Sequence, residues 1–186
     1  MRTLIVSEFV TLDGVMEAPG GEPTHPHSGW VFDFMSPEQE QYKLAETLEA
    51  EALLLGRVTY EGFSTAWPER GGEFADKMNA MPKYVASSKL QDPEWNNTTV
   101  LDGDPIEAVG ELKRGDGGPI LVAGSCTLVH SLLTAGLVDE LRLMVFPVVL
   151  GSGLRWFPES PDKIVLEHAE SQTFSSGVTV QTYRAS

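Results

Sequence analysis

The chain has 186 residues, 41% of them hydrophobic, and a formal net charge of −14. The acidic charge argues against a nucleic-acid partner, because binding a phosphate backbone needs clustered lysine and arginine. No apolar run approaches the roughly 18 residues that cross a bilayer, and no signal peptide is apparent, so we expect no membrane partner. The single cysteine excludes an internal disulfide and fits a reducing cytoplasm. We expect one globular domain over residues 1–186.

The first half of the chain alternates predicted strands and helices. Residues 3–10 are predicted as a buried strand, and a loop with three prolines and two glycines follows over 18–28. Ser36, Pro37 and Gln39 then form a typical helix start. Residues 52–55 are predicted as a short buried strand that ends at Gly56 and leads into a further helix.

The second half continues the alternation and ends differently. Strands are predicted at 82–86, 98–101, 120–123 and 139–145, and helices from Asp104 to about Lys113 and over 126–135. Two long strand candidates, 163–173 and 178–184, are joined as a hairpin by residues 175–177. The whole pattern predicts an α/β sandwich with a largely parallel sheet, helices on both faces and antiparallel strands at the C-terminal edge.

Three predicted strands end in polar junctions. Arg57 and Thr59 follow Gly56, the pair Ser87-Ser88 follows the strand at 82–86, and Gly124-Ser125 lies between a strand and a helix. Arginine offers a fork of donors for phosphate, and the N–H groups at a helix start attract anions. Because ligands of open α/β sheets lie beyond the carboxyl ends of the strands, the junctions together favour one extended anionic ligand. Taken singly, each junction also fits ordinary capping and turn chemistry.

Six short motifs resemble the dihydrofolate-reductase-like superfamily. The resemblance is closest to the reductase domain of bifunctional riboflavin-biosynthesis proteins (the RibD C-terminal domain) and its small stand-alone relatives. The motifs run in order through essentially the whole chain: Thr11-Leu12-Asp13-Gly14, Leu55-Gly56-Arg57-Val58-Thr59-Tyr60-Glu61, Lys83-Tyr84-Val85-Ala86-Ser87, Val122-Ala123-Gly124-Ser125, Val138-Asp139-Glu140-Leu141 and Pro147-Val148-Val149-Leu150-Gly151-Ser152-Gly153.

The resemblance implies a dihydrofolate-reductase-like three-layer sandwich, NADPH as cofactor, and reduction of a pteridine-, pyrimidine- or flavin-precursor-like substrate. It places Asp13 and Gly14 near the nicotinamide and the substrate. The flat ring of Trp30 either lines the substrate pocket or belongs to the core. By motif match, the cofactor phosphates would be held by Gly56, Arg57 and Thr59. The adenosine ribose with its 2′-phosphate would lie near Ser87 and Ser88. The pyrophosphate would be surrounded by Gly124, Ser125 and Thr127.

The chain departs from the family pattern at two places. The family often has a Gly-Gly pair where Gly124-Ser125 stands here, and riboflavin-type relatives usually have a lysine where Val15 stands. The second departure weighs against the phosphate-bearing riboflavin-pathway substrate. No catalytic residue is assigned: Glu38 and Glu40 are candidate proton donors, but acids at a helix start also serve the helix dipole.

Two functions of different classes remain open. The leading hypothesis is an NADPH-dependent reductase of a small planar heterocycle, and the alternative is a non-catalytic nucleotide-binding or regulatory protein on the same fold.

His25 and His27 lack a third ligand, so no metal is expected. At a helix start, Cys126 is either a reactive thiolate or a small core residue. A homodimer is expected through an apolar region comprising Leu141, Leu143, Val145, Val148 and Val149.

Overall fold

The computed structural model describes residues 1–157, 159 and 163–185. In this part of the chain the strands are β1 (Leu4–Thr11), β2 (Ala52–Gly56), β3 (Lys83–Ala86), β4 (Thr98–Leu101), β5 (Ile120–Ala123), β6 (Glu140–Phe146), β7 (Leu166–Thr173) and β8 (Thr179–Ala185). The α-helices are α1 (Pro37–Glu49), α2 (Arg57–Ala66), α3 (Glu73–Ala80), α4 (Pro105–Arg114) and α5 (Cys126–Thr134), and a 3-10 turn covers Phe32–Phe34.

The strands form one sheet in the order β4-β3-β2-β5-β1-β6-β8-β7. Neighbours from β4 through β6 pair in parallel, whereas β8 pairs antiparallel with both β6 and β7. The mostly parallel sheet with an antiparallel C-terminal hairpin, predicted from the sequence, is therefore confirmed. Within the described residues, we find no helix that is long and apolar enough to cross a membrane.

Helices cover both faces of the sheet because side chains alternate along each strand. Leu53 and Leu55 face one side and pack with Tyr60 of α2 and Met78 of α3, and α1 lies against α3. Leu54 faces the other side and packs with Val109 of α4 and with the buried leucines of α5. Three layers result, as the resemblance implied.

At the carboxyl end of β5, the helices that follow neighbouring strands lie on opposite faces of the sheet. The neighbours of β5 are β1 and β2, which lead into α1 and α2 on one face, whereas β5 leads into α5 on the other. At such a switch point the segments leaving adjacent strands diverge, and ligands of open α/β sheets bind there. Gly56 and the Gly124-Ser125 pair lie at this place.

The predicted helix starts are confirmed in detail. The Ser36 hydroxyl accepts a hydrogen bond from the Gln39 N–H (3.4 Å), and Asp104 Oδ1 accepts from the N–H groups of Ile106 and Glu107 (2.9 and 3.0 Å). The Gln39 side chain does not complete a capping box, because its Oε1 accepts from the Ser176 hydroxyl at 3.3 Å.

The apolar region on which the dimer prediction rests is divided in the structure. Leu141 and Leu143 are buried in the core beside α5, while Val149 is exposed in the loop after β6. The two leucines therefore stabilise the monomer, and the homodimer stays a prediction.

Candidate functional site

The ends of β2 and β5 are joined by one side chain. The Ser125 hydroxyl accepts a hydrogen bond from the Gly56 N–H (2.8 Å) and donates one to the Ala123 carbonyl (3.2 Å). Backbone and side chain approach closely here, since a Cβ added to Gly56 would lie 3.5 Å from Ser125 Cβ. The serine that replaces the second glycine of the family pattern thus links two strand ends that a glycine would leave unlinked.

Gly124 and Ser125 form a left-handed turn, which we call the 124–125 turn. Their φ angles are +59° and +64°, a region that costs a serine about 1–3 kcal/mol unless neighbours hold it. Two side chains hold it here. The Ser125 N–H donates to Thr59 Oγ1 (2.8 Å), and the Gly124 N–H donates to Glu8 Oε2 (2.9 Å). The structure therefore brings together four predicted cofactor residues: Gly56, Thr59, Gly124 and Ser125.

Two helix N-termini start beside this turn without a side-chain cap. Gly56 precedes α2 and has no side chain, and Ser125 precedes α5 but places its hydroxyl on Gly56 and Ala123. The first N–H groups of a helix have no partner within the helix, and they lie at the positive end of its dipole. Thr127, in the first turn of α5, is exposed. The arrangement suits a ligand with two neighbouring negative groups.

Arg57 is the first residue of α2 and the predicted phosphate ligand. Its Nη1 donates to both carboxylate oxygens of Glu61, at 2.7 and 2.9 Å, and both side chains are exposed. An exposed ion pair of this kind contributes about 1 kcal/mol or less. A phosphate at the helix start can therefore compete with Glu61 for the guanidinium.

Ser87 and Ser88 flank the same edge of the sheet. Ala86, just before them, pairs with Gly56 across β2 and β3. The Ser87 hydroxyl accepts from the N–H groups of Lys89 and Leu90 (3.1 and 3.0 Å), so it shapes its own turn, while Ser88 is exposed. Both stay predicted ligands of the adenosine end.

Asp13 connects two loops at the end of β1. Its carboxylate accepts from the Thr11 hydroxyl (2.6 Å) and from the N–H groups of Gly151 (2.8 Å) and Leu150 (3.3 Å). These bonds, the Thr11 bond first, lower the pKa of Asp13. The carbonyl of Gly14 accepts from the Trp156 N–H (2.9 Å), so the same loops are joined again. Both residues brace this region, and a contact with substrate stays a prediction.

Trp30 lies in the core. It is 4% exposed, its Nε1 donates to the Glu17 carbonyl (2.8 Å), and its ring meets Phe146 edge-on at 5.2 Å between centroids. Of its two interpretations, packing is the one that these contacts support. Val15, which stands where riboflavin-type relatives usually have a lysine, is fully buried and pairs with Arg155 in an isolated antiparallel bridge.

The candidate acids on α1 are both exposed. Glu38 accepts from the Ser175 N–H (2.9 Å) and hydroxyl (2.6 Å), which lowers its pKa. A carboxyl with a lowered pKa is a weaker proton donor at neutral pH. Glu40 is exposed at the same helix start.

A different acid, Glu8, is buried against the 124–125 turn. Glu8 is on β1, is 4% exposed, and contacts the 124–125 turn through Oε2. Burial raises its pKa well above the ordinary value. Sequence reasoning missed this residue, although one signal was present: a single acid stands in the middle of the predicted buried strand 3–10.

The surroundings of Cys126 favour the neutral thiol over a thiolate. Burial, together with the charges of Glu8 and Glu17, raises the pKa of the thiol to about 11. This direction is opposite to the helix-dipole effect considered for it. Its neighbour His130 directs Nε2 to the carbonyls of Arg155 and Trp156, both at 3.0 Å.

Both ring nitrogens of His25, in the first loop, are occupied by protein contacts. His25 Nε2 lies 3.1 Å from the Ser152 carbonyl, and His25 Nδ1 accepts from the His27 N–H at 3.1 Å. The His25 ring therefore orients the loop against residue 152.

Replacing Gly124 with alanine should destabilise the 124–125 turn. The new Cβ would lie 3.0 Å from Thr59 Oγ1 at a left-handed φ, so the free energy of unfolding should fall by about 1–2 kcal/mol. Gly110→Ala is the matched control, because Gly110 lies inside α4 with open space around it and should gain about 0.5–1 kcal/mol. Urea denaturation of both variants measures the difference, and equal effects would contradict the assigned turn.

The sequence matches a known protein family over most of its length. The model of the RibD C-terminal domain family matches residues 2–180. The uncharacterized protein YyaP of Bacillus subtilis (strain 168) is 29% identical over an alignment of 191 residues, which covers 98% of this chain and 94% of YyaP.

Solved structures show the same fold. A putative riboflavin biosynthesis protein from Shewanella sp. PV-4 superposes with a TM-score of 0.76 at 18% identity, covering 99% of each chain. Dihydrofolate reductase from Enterococcus faecalis, solved with NADP(H), superposes with a TM-score of 0.64 at 17% identity, covering 98% of this chain and 96% of that one. The chain belongs to the RibD C-terminal domain family, a reductase-type family with the dihydrofolate-reductase-like fold.

Proposed function

We propose that the protein is an NADPH-dependent reductase of a small planar heterocycle. One observation carries the proposal: the uncapped N-termini of α2 and α5 meet at the 124–125 turn, at the switch point of the sheet. Two helix starts without a side-chain cap suit the two phosphates of a dinucleotide. The reductase-type family and the likeness to a dihydrofolate reductase solved with NADP(H) support the choice of cofactor.

The residues present fit the diphosphate of NADPH. Gly56 and Gly124 let the two strand ends approach closely, since a Cβ at Gly56 would meet Ser125 and one at Gly124 would meet Thr59. The first turns of α2 and α5 would bind the phosphates, Arg57 would add a charged donor, and Thr59 and Ser125 would keep the turn in its left-handed form. When bound, NADPH would supply a hydride.

The substrate side lies toward α1. Ser7 and Phe9 of β1 face α1, where Lys43 Nζ donates to the Ser7 hydroxyl (2.9 Å) and lies 5.3 Å from the centre of the Phe9 ring. A planar substrate ring with polar edges would contact the aromatic ring of Phe9 and the hydrogen-bonding groups of Ser7 and Lys43. The buried Val15 offers no charge to a substrate phosphate, which favours pteridine- or pyrimidine-like rings without one.

Oxidation of NADPH, followed at 340 nm with a panel of pterins, pyrimidines and flavins, tests the proposal. We expect at least one acceptor to be reduced in proportion to the NADPH consumed. Tight NADPH binding without oxidation by any acceptor would favour the non-catalytic nucleotide-binding protein. Absence of NADPH binding would contradict the NADPH-dependent reductase.

We expect a preference for NADPH over NADH. Ser87, Ser88 and Lys89 follow β3, and no acid stands there to bind a free ribose 2′-hydroxyl. One charge-assisted contact to the 2′-phosphate, worth about 1.5–3 kcal/mol, corresponds to roughly tenfold tighter binding or more. Calorimetry with the two cofactors measures the ratio, and Ser88→Asp should reverse it. Equal affinity in the wild type would place the adenosine end elsewhere.

A further inference from the structure

Glu8 lies directly beneath the proposed diphosphate site. Strand β1 pairs with β5 up to Ser7 opposite Ala123, which places Glu8 beside Gly124. Side-chain alternation turns Glu8 to the α5 side with Val6 and Val10. Its Oε2 accepts from the Gly124 N–H, while its Oε1 is enclosed and has no hydrogen-bond partner among the described residues. A buried carboxyl with one oxygen unpartnered is costly if ionised.

The charges around Glu8 do not compensate for its burial. On the opposite face, Lys43 favours the ionised form, but it is ion-paired with Glu46, whose charge disfavours that form. On the α5 side, burial favours the neutral form of the Cys126 thiol, and its neighbours are His130 and the Arg155 carbonyl. Desolvation is the dominant influence on Glu8 and raises its pKa.

An anion bound at the start of α5 would further disfavour the ionised form of Glu8. The Glu8 carboxyl and the first turn of α5 share the 124–125 turn, so an ionised Glu8 would place a second negative charge beside a bound diphosphate. Like charges in a partly buried site raise the pKa of the carboxyl, as they do in paired acids. The neutral carboxyl can still accept the Gly124 N–H through its carbonyl oxygen and hold the turn.

We propose that Glu8 is a positioning residue of the anion site, neutral when the site is occupied, so that diphosphate binding at the 124–125 turn takes up a proton at Glu8. The inference rests on the proposed function in that the ligand is the diphosphate of a dinucleotide. It goes further by linking the affinity of that site to the protonation of one buried acid.

Proton uptake on ligand binding tests the proposal. The probes are NADPH and ADP-ribose. Proton uptake is measured with ADP-ribose, whose diphosphate diester does not titrate near neutral pH, because the 2′-phosphate of NADPH titrates near about pH 6. Calorimetric titrations are run from about pH 6 to about pH 9 in two non-phosphate buffers that differ in ionisation enthalpy. We expect the heat to depend on the buffer, and Kd to rise by up to about tenfold per pH unit above the pKa of free Glu8.

Glu8→Gln separates this proton linkage from a purely structural role. The amide oxygen can still accept the Gly124 N–H, but the side chain cannot ionise. We expect the variant to bind ADP-ribose at low pH as the wild type does, to lose the buffer dependence, and to bind more tightly than the wild type at high pH. Glu111→Gln, an exposed acid on α4, should retain the wild-type pH dependence.

The outcomes distinguish this inference from the proposed function. Wild-type binding of both probes without proton uptake, or an unchanged pH dependence in Glu8→Gln, overturns the role of Glu8 and leaves the cofactor proposal standing. Binding of ADP-ribose with proton uptake but no binding of NADPH supports Glu8 and overturns the cofactor. Failure of both probes to bind overturns both proposals. If Glu8→Gln does not fold, wild-type proton uptake still decides.

Discussion

Arg57→Ala is expected to weaken NADPH binding by about 1.5–3 kcal/mol, a rise in Kd of about 10- to 150-fold. Arg57 is the first residue of α2 and follows Gly56, whose N–H is bonded to Ser125. A phosphate at the start of α2 would accept hydrogen bonds both from the N–H groups of the helix N-terminus and from the guanidinium of Arg57. Isothermal calorimetry of the variant measures the change.

Two further variants control for charge. Arg70→Ala removes an equal charge beyond the end of α2, where the guanidinium carbon lies 4.7 Å from the centre of the Trp67 ring, and it should leave Kd within about twofold. Glu61→Gln releases Arg57 from its ion pair and should keep or tighten binding. An unchanged Kd for Arg57→Ala would remove Arg57 from the site.

Lys83→Met should lower the free energy of unfolding by about 3 kcal/mol or more. Lys83 begins β3 and is fully buried. Its Nζ donates to the carbonyls of Asn79, Met81 and Asn96 at 2.8–2.9 Å and lies 4.4 Å from the centre of the Trp95 ring. Methionine fills most of the volume but leaves three carbonyls without this donor. Each lost partner costs up to about 1–3 kcal/mol when no water replaces it.

Urea denaturation, compared at equal m-value, measures the loss. Lys89→Met is the matched control, because Lys89 is exposed on the turn after β3. This substitution should change the free energy of unfolding by no more than about 0.5 kcal/mol. A loss below about 1 kcal/mol in Lys83→Met would mean that water satisfies the three carbonyls. Lys83 would then not be the residue that fixes the start of β3.

Local signals made part of the fold predictable. The starts of α1 and α4 depend on Ser36 and Asp104, whose side chains bond to N–H groups two or three residues away. Helix α3 was not predicted, because it follows Gly72 without a side-chain cap and is held by Met78 in a cluster with distant strands. The last hairpin was predicted, although β7 begins at Leu166 rather than at residue 163.

The site was predictable only as far as its parts are local. A strand ending at Gly56 or Gly124 and leading into a helix is visible in the sequence. The contact between Glu8 and Gly124 spans 116 residues, and the bonds from Asp13 to Leu150 and Gly151 span 137 and 138. Trp30 likewise becomes a core residue only once Phe146 packs against it. Such pairings come from the order of the strands, which periodicity does not contain.

A crystal structure of the protein with NADPH is the most direct test of the central claim, that the uncapped starts of α2 and α5 bind a dinucleotide diphosphate. The account predicts the diphosphate within hydrogen-bonding distance of first-turn N–H groups of both helices, with the Arg57 guanidinium turned from Glu61 to a phosphate and the 124–125 turn still left-handed. A diphosphate bound away from these helix starts would contradict the account, as would crystals that stay free of NADPH at saturating concentration.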